Sequence, residues 1–137
     1  MRGAYSAGAL AAMEDVGLSH VFDSVYAESA GATNACYFLA EQASYGPRIY
    51  TEDLASRRFF NPLRVGRTLD IEYAIDVVVK RVKPLNVQKV LASASDLYVA
   101  VTSATTGASR LLDVRVPLLT PSKPLPQSCR FLMERLW

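Results

Sequence analysis

The stretch Val25-Tyr26-Ala27-Glu28-Ser29-Ala30-Gly31-Ala32 decides how this chain reads. A short apolar run, Val21 to Tyr26, predicts a buried strand. Gly31 to Gln42, rich in alanine and aromatics, predicts a helix. Between them Ser29 sits where a sharp strand-to-helix turn lifts a hydroxyl into a cleft, the arrangement called a nucleophile elbow. Small residues flank such a serine because larger ones clash in a tight turn. The pattern G-x-S-x-G is nearly met, with Ala27 at the first glycine. Alanine enters such a turn only with negative φ.

Working outward, Ala4 to Val16 predicts a first helix that Gly17 ends. Strand, turn and helix in that order point to an α/β unit. Gly46 to Arg67 reads as mixed and loop-rich, with a helical piece near Glu52 to Ser56. Asp70 to Arg81 carries Ile71, Ala74, Ile75, Val78 and Val79 at helical spacing. Val87 to Ala92 predicts a further short helix. Leu97 to Thr102 and Ala108 to Val114 predict two strands joined by a hairpin at Thr105-Thr106-Gly107. Beyond Val116 the prolines Pro117, Pro121, Pro124 and Pro126 predict extended linker, and Ser128 to Trp137 a terminal helix. The expected division is therefore a domain over 1–116 and a divergent tail over 117–137.

Composition narrows the classes. The 137 residues are half hydrophobic and 20% charged, which suits one globular core. The net charge of +2 is too small to imply nucleic acid or an anionic membrane. Cys36 lies in an apolar helical stretch and reads as a buried thiol, so no disulfide framework is indicated. No apolar run reaches the length of a membrane span and no signal peptide is visible. The expected location is cytoplasmic or peripheral to a membrane.

A serine nucleophile needs a base. His20 is the one histidine, and a strand of five or six residues would hold it about 17–20 Å from the elbow. It reads as a surface or capping residue. Asp23 meets the same objection. Asp76 reads as a solvated helix residue, Asp53 and Asp70 as helix-start residues, and Asp96 and Asp113 as turn residues. Asp15 has no catalytic setting either. An oxyanion needs donors, and Arg2-Gly3-Ala4-Tyr5-Ser6-Ala7-Gly8 opens a helix whose first amides are free to act. Gly3 and Gly8 equally suit close helix packing.

Together these segments resemble a patatin-like phospholipase domain over roughly residues 1 to 114. Met1 to Leu10 is similar to the end of that family's G-G-G-x-R-G oxyanion motif and its helix. Phe22 to Leu39 is similar to its strand, elbow and helix. Arg57-Arg58-Phe59-Phe60-Asn61-Pro62-Leu63 and KPLNVQKVLASASDLYVAVTSATTGASRLLD also look familiar from it. The resemblance implies a three-layer α/β/α sandwich with a mainly parallel sheet. It implies a lipid acyl ester hydrolase with a Ser-Asp dyad and no metal or organic cofactor. Ser29 would be the nucleophile, Arg2 and Gly3 part of the oxyanion loop, and Ala27, Glu28, Ala30 and Gly31 the elbow. The expected partner is a lipid ester or a membrane surface.

Three departures temper the expected activity. No glycines precede Met1. Ala27 replaces a glycine, and Glu28 puts a carboxylate beside the nucleophile. No Asp-Gly dipeptide, the setting of the family's aspartate, occurs in the chain. The domain reads as incomplete, with little esterase activity expected. A non-catalytic interaction or lipid-surface module stays open as the second reading. A full Ser-His-Asp triad is disfavoured because no histidine follows Ser29.

Overall fold

The structure, a computed structural model, describes residues 2–64, 66, 68–102 and 106–115. The tail over 117–137, with its expected terminal helix, lies outside the described residues, as does part of the expected hairpin turn. Helix α1 (Arg2–Asp15) leads into strand β1 (Ser24–Glu28) and helix α2 (Ala30–Leu39). A short α3 (Tyr45–Arg48) runs on into a π-helical turn, Ile49–Asp53. A longer π-helix, Tyr73–Val82, and α4 (Val87–Ala92) precede strands β2 (Asp96–Thr102) and β3 (Ser109–Asp113).

The three strands form one sheet in the order β1-β2-β3. β1 lies parallel to β2, with Ser24 opposite Asp96 and Glu28 opposite Ala100. β2 and β3 pair antiparallel, Tyr98 opposite Asp113 and Thr102 opposite Ser109. The chain is thus mixed α/β, as expected, but the described sheet is mixed in direction rather than mainly parallel.

Period-2 alternation assigns the two faces. Val25, Ala27, Leu97, Val99 and Val101 turn toward α2 and α4, where they meet Ala32, Ala35, Cys36, Phe38, Leu39 and Val90. On the other face Tyr26 is exposed and stacks on Tyr98, ring centroids 5.2 Å apart. The expected strand over 21–26 therefore starts late and is half-buried. Val21 and Phe22 are exposed, and pairing opens where the Asp23 carbonyl accepts the Asp96 amide at 2.9 Å.

Helix α2 is the hub. Its residues from Asn34 onward are all buried. One side joins the sheet-facing core, while Tyr37 joins a second core with Ala7, Ile49, Tyr50, Leu54, Phe59, Ile75, Val78 and Val79. A helix apolar on every side must be enclosed. The Tyr37 hydroxyl donates to the Lys83 carbonyl across this second core. Lys83 is itself buried and its ammonium meets Asp53 and Glu52. Burial alone would lower the lysine pKa, but the hydrogen bonds it donates to both carboxylates, with their charge, outweigh it and raise the value.

Several local expectations are corrected. The helical piece expected at 52–56 begins earlier, at Tyr45, because its buried residues are Gly46, Ile49 and Tyr50. Asp53 closes that helical run and pairs with Lys83 instead of opening a helix. Asp70 does act as a helix-start residue: its carboxylate accepts the Tyr73 amide at 2.9 Å. The helix expected over 70–81 buries Ile75, Val78 and Val79 as predicted, but winds with i→i+5 bonds, such as Lys83 N–H to the Val78 carbonyl. Among the described residues no helix is long and apolar enough to cross a membrane.

Candidate functional site at the β1–α2 junction

Ser29 has φ 52° and ψ −127°. Residues other than glycine rarely occupy this region, and holding one there costs about 1–3 kcal/mol. The alternative role for a serine before a helix is the N-cap. A capping serine has extended backbone and its hydroxyl accepts an amide of the first turn. Ser29 has neither feature: its φ is positive and its side chain makes no capping bond. The strain falls at Ser29 and not at Ala27, which stays in β1 opposite Val99.

The position is that of an elbow. β1 ends at Glu28, Ser29 turns, and α2 begins at Ala30. The serine is exposed at the carboxyl end of a strand in a parallel pair, where ligands bind in open α/β sheets. The amides of Ala30 and Gly31 open α2 and have no intrahelical acceptor. The helix dipole adds a positive potential at the same place.

The start of α1 is brought against this turn. A Cβ built on Gly3 would lie 2.9 Å from Ala30 Cβ and 2.5 Å from the Tyr50 hydroxyl. No side chain fits there without moving its neighbours, so the glycine allows the close approach. Asn34 fastens the two helices. Its Nδ2 donates to the Gly3 carbonyl and to Ser6 Oγ, both at 2.9 Å, and its Oδ1 accepts from the Tyr50 hydroxyl at 3.2 Å. Ser6 donates in turn to the Gly3 carbonyl at 3.0 Å. Burial raises the pKa of the Tyr50 phenol, offset in part by its bond to Asn34.

The structure thus brings Gly3, Ala30 and the Ser29 turn together. Arg2 is exposed at the first position of α1, and Glu28 is exposed at the end of β1. Gly31 differs from expectation: a Cβ there would meet nothing within 4 Å, so its smallness is not demanded by the described residues. Gly8 is equally unconfined.

His20 is not near the serine. Its Nε2 lies 2.8 Å from a carboxylate oxygen of Glu41, just past the far end of α2. The ten residues of that helix separate its ends by about 15 Å. The aspartates are engaged elsewhere. Asp53 meets Lys83, Asp70 caps its helix and holds Arg64, and Asp76 pairs with Lys80. Asp113 accepts the Arg115 amide, and Asp23 and Asp96 lie at the opening of the β1–β2 pair. Cys36 is buried and free, its thiol pushed up to about 12 by desolvation.

Asn34 and Tyr50 were not singled out by sequence reasoning. The signal for Asn34 was present: one amide inside an otherwise apolar helix, Ala30 to Leu39, must find partners when buried. Nothing in the sequence paired it with Tyr50. Among the described residues no group of three or more His, Cys, Asp or Glu is placed to hold a metal. No protein-family model, curated protein or solved structure matches this chain, so the geometry at Ser29 carries the functional reading by itself.

Proposed function

We propose that this chain carries the nucleophile half of a serine acyl hydrolase of the patatin-like kind, acting on lipid esters. The observation that carries the reading is the backbone of Ser29, held at φ 52° between a parallel strand and a helix with no capping bond in return. Strain without a structural return is the signature of a residue held for its chemistry.

In the proposed step the Ser29 oxygen attacks an ester carbonyl. The developing oxyanion is met by the Ala30 amide and by amides at the start of α1. The alcohol leaves with a proton, and water then cleaves the acyl-serine. Asn34 has a positioning role, fixing α1 against the turn. No carboxylate or imidazole among the described residues bonds to Ser29, so activation is weak and turnover slow. An incomplete three-layer α/β/α sandwich and a cytoplasmic or membrane-peripheral setting belong to the same proposal.

A fluorophosphonate probe tests it. Slow, stoichiometric labelling at Ser29 is expected, lost in Ser29→Ala, with little turnover of a short-chain nitrophenyl ester. Absence of labelling after prolonged exposure of folded protein would leave a non-catalytic module as the better reading.

A further inference from the structure

Between Asp53 and Asp70 the sequence contains Arg57, Arg58, Arg64 and Arg67 and no acidic residue. The same segment exposes the large apolar side chains Phe60, Leu63 and Leu69. Phe60 and Leu69 face each other in an antiparallel bridge. The Asp70 amide donates to the Phe59 carbonyl at 2.8 Å and the Asn61 amide to the Thr68 carbonyl at 2.9 Å. These bonds close the neck. Below it Phe59 is anchored in the second core.

Beyond the neck, Asn61 Oδ1 accepts the Leu63 amide and its carbonyl accepts the Arg64 amide, turning the chain sharply at Pro62-Leu63. Leu63 stands at this tip with 85% of its surface exposed, and Phe60 and Leu69 are about half exposed. Phe60 and Leu69 also line an open groove of about 530 Å³ with Leu54, Ala55, Ser56 and Arg57. Arg57 and Arg58 are exposed and have no ion-pair partner among the described residues. Arg58 lies over the Tyr73 ring at 4.4 Å. Arg64 is fixed by Asp70 and by the Arg58 carbonyl.

An exposed leucine tip, two half-exposed apolar side chains at the neck and a fringe of arginines form a pattern. It matches the depth profile of a membrane interface with anionic headgroups above acyl chains. Water alone would not favour it, because Phe60 and Leu69 stand side by side and Leu63 lies three residues from Phe60, 85% exposed. We infer that the surface formed by Arg57, Arg58, Phe60, Leu63 and Leu69 docks the protein onto an anionic phospholipid bilayer, Leu63 entering the acyl region and Arg57 and Arg58 meeting lipid phosphates. This deepens the lipid-ester reading, but docking does not require the Ser29 hydroxyl.

The test is co-sedimentation of the full chain with phosphatidylcholine vesicles and with phosphatidylcholine vesicles carrying phosphatidylserine. Binding is expected to the anionic vesicles only and to weaken as salt rises. Leu63→Asp is expected to weaken it by more than about tenfold, and each of Arg57→Ala and Arg58→Ala by about fivefold. Val21→Ser, which alters an exposed apolar residue elsewhere, should bind as the native chain does. Ser29→Ala should also bind normally, so failure of fluorophosphonate labelling and failure of docking are separate results. Equal binding to neutral vesicles overturns the inference. So does full binding by a folded Leu63→Asp protein, or a Leu63-dependent self-association without vesicle binding. If Leu63→Asp does not fold, the two arginine variants decide alone.

Discussion

The two ends of α2 present the same backbone anomaly for opposite reasons. Among the described residues, Ser29 and Glu41 are the non-glycine residues with positive φ, 52° and 56°. At the carboxyl end the left-handed residue closes the helix. The Glu41 amide bonds the Phe38 carbonyl at 3.0 Å and the Gln42 amide bonds the Tyr37 carbonyl at 2.8 Å, the paired bonds of a Schellman cap. Gly17 ends α1 in the same way, through the Glu14 and Met13 carbonyls. The Glu41 side chain then holds His20 and Lys89. At the amino end the Ser29 carbonyl accepts the Ala32 amide at 3.0 Å, the ordinary opening bond of a helix, and the side chain adds no cap to repay the distortion. A left-handed residue that closes a helix with paired backbone bonds is architecture; one whose single helix-opening bond an extended cap residue would make equally well needs another explanation.

The largest effect expected at the amino end comes from Gly3. Gly3→Ala forces Ala30 or Tyr50 aside, since both lie within 2.9 Å of the new carbon. Overpacking of this kind costs about 1–3 kcal/mol. It also strains the Tyr50–Asn34–Gly3 chain that fixes α1 beside the turn. Chemical denaturation should show the loss, and fluorophosphonate labelling of the remaining folded protein should slow. Gly8→Ala is the control, because a Cβ there meets nothing within 4 Å. It should leave labelling unchanged and stability the same or slightly higher, by up to about 1 kcal/mol. Equal behaviour of the two variants would break the claim that α1 and the Ser29 turn form one site.

Substitution of Ser29 itself sharpens the contrast. Were Ser29 an N-cap, Ser29→Ala would cost about 1 kcal/mol. With no capping bond to lose, the variant should match the native stability within about 0.5 kcal/mol. Ser29→Gly should be stabilised by about 1 kcal/mol, the relief of backbone strain less the added entropy cost of glycine. Both variants should lose the probe. Higher stability on removal of a side chain is the mark of a position kept for function.

Much of this was legible in the sequence, for physical reasons that differ by element. The order helix, strand, helix around Ser29 follows from alternation and from Gly17, because both are local signals. Val87 to Ala92 and the β2–β3 pair are legible on the same grounds. The limits of β1 are not, because they depend on where the Asp23 carbonyl finds Asp96, 73 residues away. The π-helical winding of Tyr73–Val82 leaves the apolar spacing intact, so periodicity cannot reveal it. Asp53 has the composition of a helix start, but its partner Lys83 is set by the tertiary fold. Ser29 was identifiable by its neighbours; that Asn34 and Tyr50 hold α1 against it was not, because that contact joins three separate segments.

The smallest effect lies at the carboxyl end, and it depends on pH. Glu41→Gly relieves left-handed strain but removes the contacts to Lys89 and His20. Exposed pairs of this kind contribute little, because water and salt screen them. At neutral pH the gain and the loss oppose each other, and the variant should unfold close to the native midpoint. The Glu41 carboxyl is held below its ordinary value, first by the hydrogen bond from Lys89 and then by that from His20. A carboxyl depressed in the folded state adds stability above its unfolded value, about 4.3, and loses it as pH falls through the folded value. Acidification therefore removes the benefit of the glutamate while the strain at φ 56° stays. The stability of Glu41→Gly relative to native should rise as pH drops below about 4, measured by urea denaturation at matched ionic strength. A difference that stays constant with pH would show that the pairs contribute nothing, leaving the hydrogen-bonded cap alone to hold Glu41 in its left-handed state.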